Sequence, residues 1–395
     1  MLRFLTAGES HGKGLVAVIE GLPAGVPLRA DEINVQLARR QGGYGRGGRM
    51  KIENDRVEFI AGVRGGLTLG SPIALSVPNL DWVNWTTRMD AETLGPDVVK
   101  VTRLRPGHAD MPGVIKYAHD DVRNVLERAS ARETTMRVAV GAVCREFLAQ
   151  FGVEIHGHVT AIGDVETPIR VDQVPIDWDR VEESPVRCAD PEVETTMIAA
   201  IDAARREGDT LGGIVEVVAY GLPIGLGSHV QWDRKLDGKL AQAVLSINAF
   251  KGVEIGDGFG GARRRGSQVH DVIEYGEGGW SHRTNNSGGT AGGMTTGAPL
   301  VVRGALKPIA TLARPLPSVD FVTKEAVPAH YERSDVCVAP AAAVIVEAMV
   351  AIVLAEAFVE KFGGDSLGEM KRNFESYVAT YAPGSHYWKL EAGDV

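Results

Sequence analysis

The longest apolar stretch of the chain reads Pro340-Ala-Ala-Ala-Val-Ile-Val-Glu-Ala-Met-Val-Ala-Ile-Val-Leu-Ala-Glu-Ala-Phe-Val-Glu-Lys-Phe-Gly-Gly364. Its apolar run is interrupted by Glu347 and Glu356, and a pair of glycines follows it. A charge-interrupted run that ends at Gly363 is typical of a buried helix with a glycine stop, and not of a membrane span. We therefore expect a helix over 340–362 that closes the core of a globular protein.

The composition fits such a protein. The chain has 395 residues, of which 44% are apolar and 24% are charged. This length allows one large or two ordinary domains with a sizeable core. The formal net charge of −9 makes nucleic acid or an anionic membrane an unexpected partner.

The spacing of the cysteines indicates the cellular compartment of the protein. Cys144, Cys188 and Cys337 are far apart and form no Cys-x-x-Cys motif. This spacing indicates neither a disulfide framework nor a zinc site, and it suits a reducing cytoplasm. The first ten residues lack an apolar core long enough for a signal peptide. We expect a cytoplasmic protein.

Away from this helix, the periodicity predicts a mixed α and β protein. Strands are predicted over 2–6, 15–20, 153–163 and 214–219, and helices over 31–40, 121–150, 192–207 and 236–247. Residues from about 371 to 395 are a weakly patterned tail. The two halves share a layout of Gly/Arg loops followed by a long helix, which is compatible with an internal duplication.

The densest group of chemically useful residues lies in Arg105-Pro-Gly-His-Ala-Asp110 and Glu127-Arg-Ala-Ser-Ala-Arg-Glu-Thr-Thr135. The Pro-Gly turn presents His108 on a loop, with Asp110 two residues further on. Arg128 and Arg132 are spaced by four among small residues, and arginine binds phosphate or carboxylate in a bidentate manner. A solvated basic face is the alternative, but the whole set favours an anion pocket.

Three further loops extend this interpretation. Gly8-Glu-Ser-His-Gly12 presents His11 between two strands, where an acid or base is well placed. Residues 39–49 form a basic loop that is either an anion-binding loop or an RGG-like RNA segment. Residues 285–297 are almost free of large side chains, and they form either a linker or a backbone cradle for a phosphate or a flat ring. His156 and His158 lack a third ligand, so we expect no metal.

These motifs, with Gly45-Arg-Gly-Gly-Arg49, Gly208-Asp-Thr-Leu-Gly-Gly213, Lys251-Gly-Val-Glu-Ile-Gly-Asp-Gly-Phe259 and Arg333-Ser-Asp335, occur in the order found in the chorismate synthase family. The chain resembles that family over roughly residues 1–370, in its short bacterial, monofunctional form. The resemblance implies a single domain over 1–395 of the α+β class: a β-α-β sandwich with two antiparallel four-stranded sheets between helices, assembled as a homotetramer.

The resemblance also implies an activity. The family are lyases of the shikimate pathway to aromatic amino acids. They convert 5-enolpyruvylshikimate 3-phosphate to chorismate and phosphate by 1,4-anti elimination. Reduced FMN is required but not consumed, so a form without its own reductase implies an external flavin reductase as a partner.

Residue roles follow from the matching motifs. His11 is expected to protonate the leaving phosphate, His108 to protonate or electrostatically support the reduced flavin, and Asp335 to relay the proton from flavin N5. The expected flavin contacts are Arg128, Ala129, Ser130, Asn248, Ala249, Gly293, Lys307, Pro308, Ile309, Ala310, Thr311 and Arg333. The expected substrate contacts are Ser10, Arg46, Arg49, Arg105 and Arg132. Arg40 and Arg46 match positions associated with NADPH. Phe250, Asn286 and Thr290 depart from the usual residues near the flavin.

Two rival functions remain at this point. One is another flavin or nucleotide enzyme, such as a reductase, that uses the same Gly/Arg loops. The other is an RNA-binding protein that uses residues 46–49 and 263–265, and its affinity would fall steeply with salt.

Overall fold

A computed structural model describes residues 1–48, 52–171, 175–332 and 334–385. The helices are α1 (Ala30–Gln41), α2 (Asp110–Tyr117), α3 (Arg123–Leu126), α4 (Thr134–Ala149), α5 (Trp178–Glu183), α6 (Pro191–Glu207), α7 (Leu236–Leu245), α8 (Gly258–Gly261), α9 (Gly266–Val269), α10 (Ala339–Phe362) and α11 (Leu367–Ala379). Single 3-10 turns lie at Leu80–Asn84, Ala131–Glu133 and Trp232–Arg234.

The strands are β1 (Arg3–Ala7), β2 (Gly14–Glu20), β3 (Ala24–Pro27), β4 (Glu58–Ala61), β5 (Val63–Arg64), β6 (Leu67–Leu69), β7 (Ile73–Pro78), β8 (Glu154–Ile162), β9 (Val165–Glu166), β10 (Gly213–Tyr220), β11 (Phe250–Ile255), β12 (Ile273–Gly276), β13 (Gly279–His282), β14 (Thr290–Ala291), β15 (Met294–Thr295), β16 (Leu300–Leu306), β17 (Pro317–Val319) and β18 (Ala326–Pro328).

The apolar stretch forms the central helix α10. Pro340 lies in its first turn, where a missing N–H costs nothing, and the helix ends before Gly363. By length and composition this helix could cross a membrane, but 89% of its most apolar 18-residue window is buried inside the protein. The buried carboxylate of Glu347 accepts hydrogen bonds from Arg39 at 2.6 Å and Arg145 at 3.0 Å. The helix is therefore a core helix, and its one fully buried charge is paired.

Two antiparallel sheets enclose a helical layer. The first has the strand order β1-β2-β7-β4, and the second has the order β11-β16-β10-β8-β9. Helix α4 packs against β2 of the first sheet and β8 of the second, while α10 packs against α4, β8 and β10. The second sheet has five strands where four were expected, because the two-residue strand β9 pairs with the end of β8. One continuous core includes residues of both sheets and of the helices between them.

Most predicted elements are found, but the helix predicted over 121–150 is broken. The chain leaves helical geometry at Ser130, where ψ is 146°, and the Ser130 hydroxyl accepts a hydrogen bond from the N–H of Arg132. The break exposes the backbone of residues 128–130 as a loop. Residues 367–379, which overlap the weakly patterned tail, form the amphipathic helix α11.

Candidate active site

His11 lies in the tight loop between β1 and β2. The loop depends on Gly8, whose φ is +112° and where a Cβ atom would lie 2.5 Å from the carbonyl oxygen of Gly14. A larger residue at position 8 would both strain the backbone and collide with the neighbouring strand. The sequence therefore fixes His11 at the edge of the first sheet.

The imidazole of His11 is held on two sides. Its Nδ1 lies 2.9 Å and 3.1 Å from the two carboxylate oxygens of Glu127, and its backbone N–H donates to Glu127 Oε2 at 2.8 Å. Its ring stacks on Trp85 with centroids 4.0 Å apart. The Ser10 hydroxyl lies 3.1 Å from that of Ser130. Two sequence-predicted residues, Ser10 and Ser130, are thus brought together beside His11.

Arg123 connects this histidine to a distant loop. It donates to Glu127 at 2.7 Å and to Glu332 at 3.1 Å, and its guanidinium lies 4.9 Å from the Trp85 ring centre. Burial raises the pKa of Glu332, but His330 and Arg123 outweigh it and bring that pKa to about 2. Glu127 and Glu332 are therefore both ionised, and both accept hydrogen bonds from Arg123.

His108 belongs to a second, separate set of contacts. Its Nδ1 lies 2.5 Å from Oδ1 of Asp110, the fully buried first residue of α2. Arg105 donates to the same carboxylate through Nε at 2.8 Å and Nη2 at 2.9 Å. Burial raises the pKa of Asp110, but hydrogen bonds from His108 and Arg105 outweigh it and hold that pKa well below its usual range. Each candidate histidine is therefore backed by an ionised carboxylate.

Arg132, an expected substrate contact, and Arg40, which matches an NADPH position, both lie beside Asp55. Arg132 donates to both oxygens of Asp55 at 2.6 Å and 2.8 Å and to Asn79 at 2.9 Å. Arg40 is buried, donates to Thr134 at 3.0 Å and lies 3.7 Å from Asp55. Burial lowers the pKa of Arg40 to about 9, although Asp55 opposes that shift.

Asp335 lies beside the basic loop. Its carboxylate accepts a hydrogen bond from the backbone N–H of Gly47 at 2.5 Å and lies 3.5 Å from Arg46 Nε. The side chain is 21% exposed, so solvent or a ligand reaches it. Arg49 and Arg333, which the sequence also assigns to the site, lie outside the described residues.

Three of the segments expected to hold the flavin converge. Asn248 donates to the carbonyl of Ala129 at 2.9 Å, and the backbone N–H of Lys307 donates to the carbonyl of Ala249 at 3.0 Å. The Lys307 ammonium donates to the carbonyl of Gly107, directly before His108. These bonds place segments 128–130, 248–249 and 307–311 around the His108 loop.

The far end of the segment 307–311 is also held by hydrogen bonds. Thr210 donates to the carbonyl of Ile309 at 2.8 Å, and the Thr311 hydroxyl lies 3.4 Å from Arg105 Nη1. Pro308 and Ala310 lie in the same loop. This loop therefore touches the Arg105 and His108 set.

Two expected flavin residues are placed differently. Arg128 has a side chain that is 42% exposed and donates to the carbonyls of Thr6 and Gly8. Gly293 accepts from the N–H of Leu236, at the start of α7, whereas Asn248 follows the end of that helix. Ten residues of helix span about 15 Å, so Gly293 lies apart from the converged segments within one chain.

Lys251 joins this region through a β-bulge. In the pairing of β11 with β16, Phe250 lies opposite Leu306 and Gly252 opposite Ala305, which leaves Lys251 as the extra residue. Ala249 has a positive φ of 72°, an uncommon backbone for alanine. Burial and then the Lys251 ammonium lower the pKa of Lys307. A bulge re-aims a side chain, and at this bulge the Lys251 ammonium is near enough to act electrostatically on Lys307.

Several residues of the site carry no sequence signal that identifies them. They are Trp85, which stacks on His11; Arg123, which joins Glu127 to Glu332; and Asp55 and Asn79, which hold Arg132. Arg123 and Glu127 are four positions apart, but the other partners are between about 50 and 210 positions apart in the chain, so only the fold brings them together.

The three unusual residues have ordinary packing roles. Phe250 is buried and covers Gly304, where a Cβ atom would lie 2.5 Å from its ring. The Asn286 side chain donates to the carbonyl of Val269 at 2.9 Å, and Thr290 is buried. Phe250 therefore packs against β16, while Asn286 and Thr290 support the loops around residues 256–290.

The two strand histidines have structural partners. His158 is fully buried with Nε2 3.0 Å from Glu216, and His156 stacks on Trp178 with centroids 4.8 Å apart. Among the described residues no group of three or more His, Cys, Asp or Glu side chains could hold a metal ion.

A separate cavity of about 490 Å³ contains none of the candidate site residues. Its walls come from the chain start, the β3 and β6 region and the end of α10. Its lining is mainly backbone and apolar side chains, with Asp365 as its one charged residue among those described. Among the described residues it offers no set of acids or bases.

Comparison with known proteins identifies the family of the chain. The family model for chorismate synthase matches residues 2–359. The chain is 57% identical to the chorismate synthase of Geobacter sulfurreducens in an alignment 391 positions long that covers 96% of this chain and 98% of that protein. It is 58% identical to the chorismate synthase of Symbiobacterium thermophilum, covering 96% of this chain and 100% of the relative.

A solved structure extends the match to the fold. A crystal structure of chorismate synthase superposes with a TM-score of 0.78 at 46% identity and covers 95% of this chain and 97% of its own. Family model, sequence and fold thus agree over almost the whole length. The chain belongs to the chorismate synthase family.

Proposed function

We propose that the chain converts 5-enolpyruvylshikimate 3-phosphate to chorismate and phosphate by 1,4-anti elimination, with reduced FMN required but not consumed. The observation that carries this proposal is the pair of loop histidines, each backed by an ionised carboxylate: His11 by Glu127 and His108 by Asp110. Departure of a phosphate benefits from a general acid, and histidine is the side chain that exchanges protons near neutral pH.

His11 is the proposed acid for the leaving phosphate. Its Nδ1 faces Glu127, which leaves Nε2 as the nitrogen that donates a proton to the phosphate oxygen as the C–O bond breaks. Stacking on Trp85 holds the ring in the orientation that this transfer needs. Proximity of this kind supplies part of the rate enhancement.

The converged segments fit a flavin. They offer backbone groups at Ala129 and Ala249 and cationic side chains at Lys251 and Lys307, as an aromatic ring with a phosphate requires. When bound, the reduced flavin supplies electron density to a substrate whose C6 hydrogen is not acidic. We place the flavin phosphate at the two lysines, because two neighbouring ammonium groups stabilise an anion.

His108 and Asp335 complete the proton chemistry. His108 lies at the loop that Lys307 contacts, so its imidazole is assigned to the flavin side of the site. Asp335 is partly exposed beside Arg46, and its carboxylate is the proposed final acceptor of the proton that the substrate loses from C6, while the electrons of the broken C–O bond leave with the phosphate. Arg46, Arg49, Arg105 and Arg132 are the proposed contacts for a substrate with one phosphate and two carboxylates, with Arg105 and Arg132 oriented by Asp110 and Asp55, and Ser10 is the proposed hydroxyl contact.

NADPH has little support in this site. Arg40 is 4% exposed and already engages Thr134, Ala131 and Asp55, so a dinucleotide does not reach it without rearrangement. We infer that a separate flavin reductase supplies the reduced FMN. The enzyme is proposed to act in the cytoplasm as a homotetramer.

Cofactor stoichiometry separates this function from the rival reductase. Many turnovers of product for each reduced FMN supplied, with no net oxidation of NADPH, support the proposal. Oxidation of one NADPH per product would identify a reductase instead. Steeply salt-dependent RNA affinity without turnover would favour the RNA-binding alternative.

A further inference from the structure

The carboxylate of Glu127 binds both the ring and the backbone of His11. It lies 2.9 Å and 3.1 Å from Nδ1 and accepts from the His11 backbone N–H at 2.8 Å. In addition, the carbonyl of Glu127 accepts from the N–H of Ser10 at 3.1 Å. The side chain and the backbone carbonyl of Glu127 therefore both bind the loop of Ser10 and His11, although Glu127 and His11 are 116 positions apart in the chain.

Glu127 is charged and dehydrated in this position. The residue is 2% exposed. Burial raises the pKa of Glu127, but hydrogen bonds and charge from His11, and then Arg123, outweigh it and lower that pKa overall. An ionised carboxylate is only an acceptor, so Nδ1 of His11 must carry the hydrogen between them.

Two arginines lie near the stacked rings of His11 and Trp85. Arg123 donates to it at 2.7 Å, and the guanidinium groups of Arg123 and Arg88 lie 4.9 Å and 5.5 Å from the Trp85 ring centre. Trp85 covers the His11 ring face. Nε2 of His11 has no hydrogen-bond partner among the described residues, so it is the nitrogen left for a ligand.

We propose that Glu127 is the positioning residue for His11: it fixes the ring with hydrogen on Nδ1 and stabilises the positive imidazolium whose Nε2 hydrogen goes to the leaving phosphate. This inference rests on the proposed function. It goes beyond that function because it assigns the tautomer and orientation of the His11 ring to one buried carboxylate. A carboxylate in this position favours the charged imidazole, and an amide of the same shape does not.

The decisive variant is Glu127→Gln, which keeps size and hydrogen bonding but removes the charge. We expect turnover at neutral pH to fall roughly 10- to 100-fold, below the full loss of a general acid. The KM for the substrate should change less than about threefold, since Glu127 does not touch it. The alkaline limb of the pH–rate profile should move to lower pH, because the imidazolium loses its stabilising charge.

Two comparisons separate positioning from mere structural support. Glu133→Gln alters a neighbouring, similarly buried glutamate that binds Thr6 and Arg137 and not His11, so its pH profile should keep the wild-type shape. In a His11→Ala background, Glu127→Gln should cost little additional turnover, because residues that act as a unit are not additive.

The outcomes are distinct. A Glu127→Gln enzyme with an unmoved pH profile, or with a full additional loss in the His11→Ala background, overturns the positioning role. If the wild-type enzyme forms chorismate while Glu127→Gln behaves as wild type, this inference fails and the proposed function stands. Circular dichroism and thermal unfolding of each variant show whether a rate loss comes from unfolding.

Discussion

The Arg105 guanidinium and the Asp110 carboxylate form a bidentate pair, with Nε–Oδ2 at 2.8 Å and Nη2–Oδ1 at 2.9 Å, at the first residue of helix α2. The same carboxylate lies 2.5 Å from Nδ1 of His108. One buried acid therefore sets the orientation of both an arginine and a histidine. It also accepts the Arg105 backbone N–H at 3.0 Å, so the loop and the side chains are fixed together.

Removing the charge of Asp110 should destabilise the protein. Asp110→Asn leaves the Arg105 guanidinium buried without its anion, which costs about 2–5 kcal/mol of unfolding free energy. Because ion pairing holds the pKa of Asp110 low, this stabilisation is present at neutral pH and lost in strong acid, so the two proteins converge there. Urea denaturation at pH 7 and at low pH measures both effects.

The exposed pair of Lys100 and Asp120 provides the control. Asp120→Asn makes the same chemical change at a solvated carboxylate and should leave the denaturation midpoint unchanged. Equal effects of Asp110→Asn and Asp120→Asn would contradict the assigned role of the buried pair.

The two loop histidines should be needed for turnover and not for folding. His11→Ala and His108→Ala should each lower turnover roughly 100- to 10,000-fold with saturating substrate and reduced FMN. The exposed His270→Ala variant is the control and should retain wild-type turnover. Near-normal turnover of either loop variant, with an intact fold, would remove that histidine from the mechanism.

The lysine pair should recognise the flavin phosphate. Lys251→Ala and Lys307→Ala should each raise the Kd for FMN roughly 10- to 100-fold, because a hydrogen bond to a charged group contributes about 1.5–3 kcal/mol. Binding of riboflavin, which lacks the phosphate, should change little in the same variants. Titration calorimetry with both flavins measures the difference.

Lys324→Ala is the matched control, since that lysine contacts the ring and carbonyl of Phe321 on an exposed loop. It should leave both affinities unchanged. Equal weakening of FMN and riboflavin by Lys251→Ala would show that Lys251 shapes the loop and does not bind the phosphate.

Asp335 should be needed for proton transfer. Asp335→Asn keeps the size of the side chain and its bond to the N–H of Gly47, so the variant should fold and bind FMN and substrate. Its single-turnover rate should fall roughly 100- to 10,000-fold, because an amide does not accept the proton. A normal rate, or a lost rate that lost FMN binding explains, would exclude the relay.

The sequence predicts the elements whose pattern is local. Helix α10 follows from one apolar run with a glycine stop, and the loops of His11 and His108 follow from their flanking Gly and Pro residues. The break in the helix predicted over 121–150 is missed, since Glu127-Arg-Ala-Ser130 is composed of residues that a helix accepts. Tertiary contacts of Glu127 with the His11 loop accompany the break.

Local sequence pattern does not predict which charged residues pair in the fold. The sequence presents Arg105 and Arg132 as cations open to an anion, whereas the fold pairs them with Asp110 and Asp55. Asp55 and Arg132 are 77 positions apart, so no periodicity joins them. The five-stranded second sheet is a similar case, because the two-residue strand β9 is too short to leave a pattern.

Anaerobic incubation of the purified enzyme with 5-enolpyruvylshikimate 3-phosphate and reduced FMN tests the central claim most directly. We predict chorismate and inorganic phosphate in equal amounts, over many turnovers, with the flavin still reduced at the end. Oxidised FMN with NADPH, in the absence of a reductase, should give no appreciable product. No chorismate from reduced FMN, or flavin oxidised in proportion to product, would contradict the account.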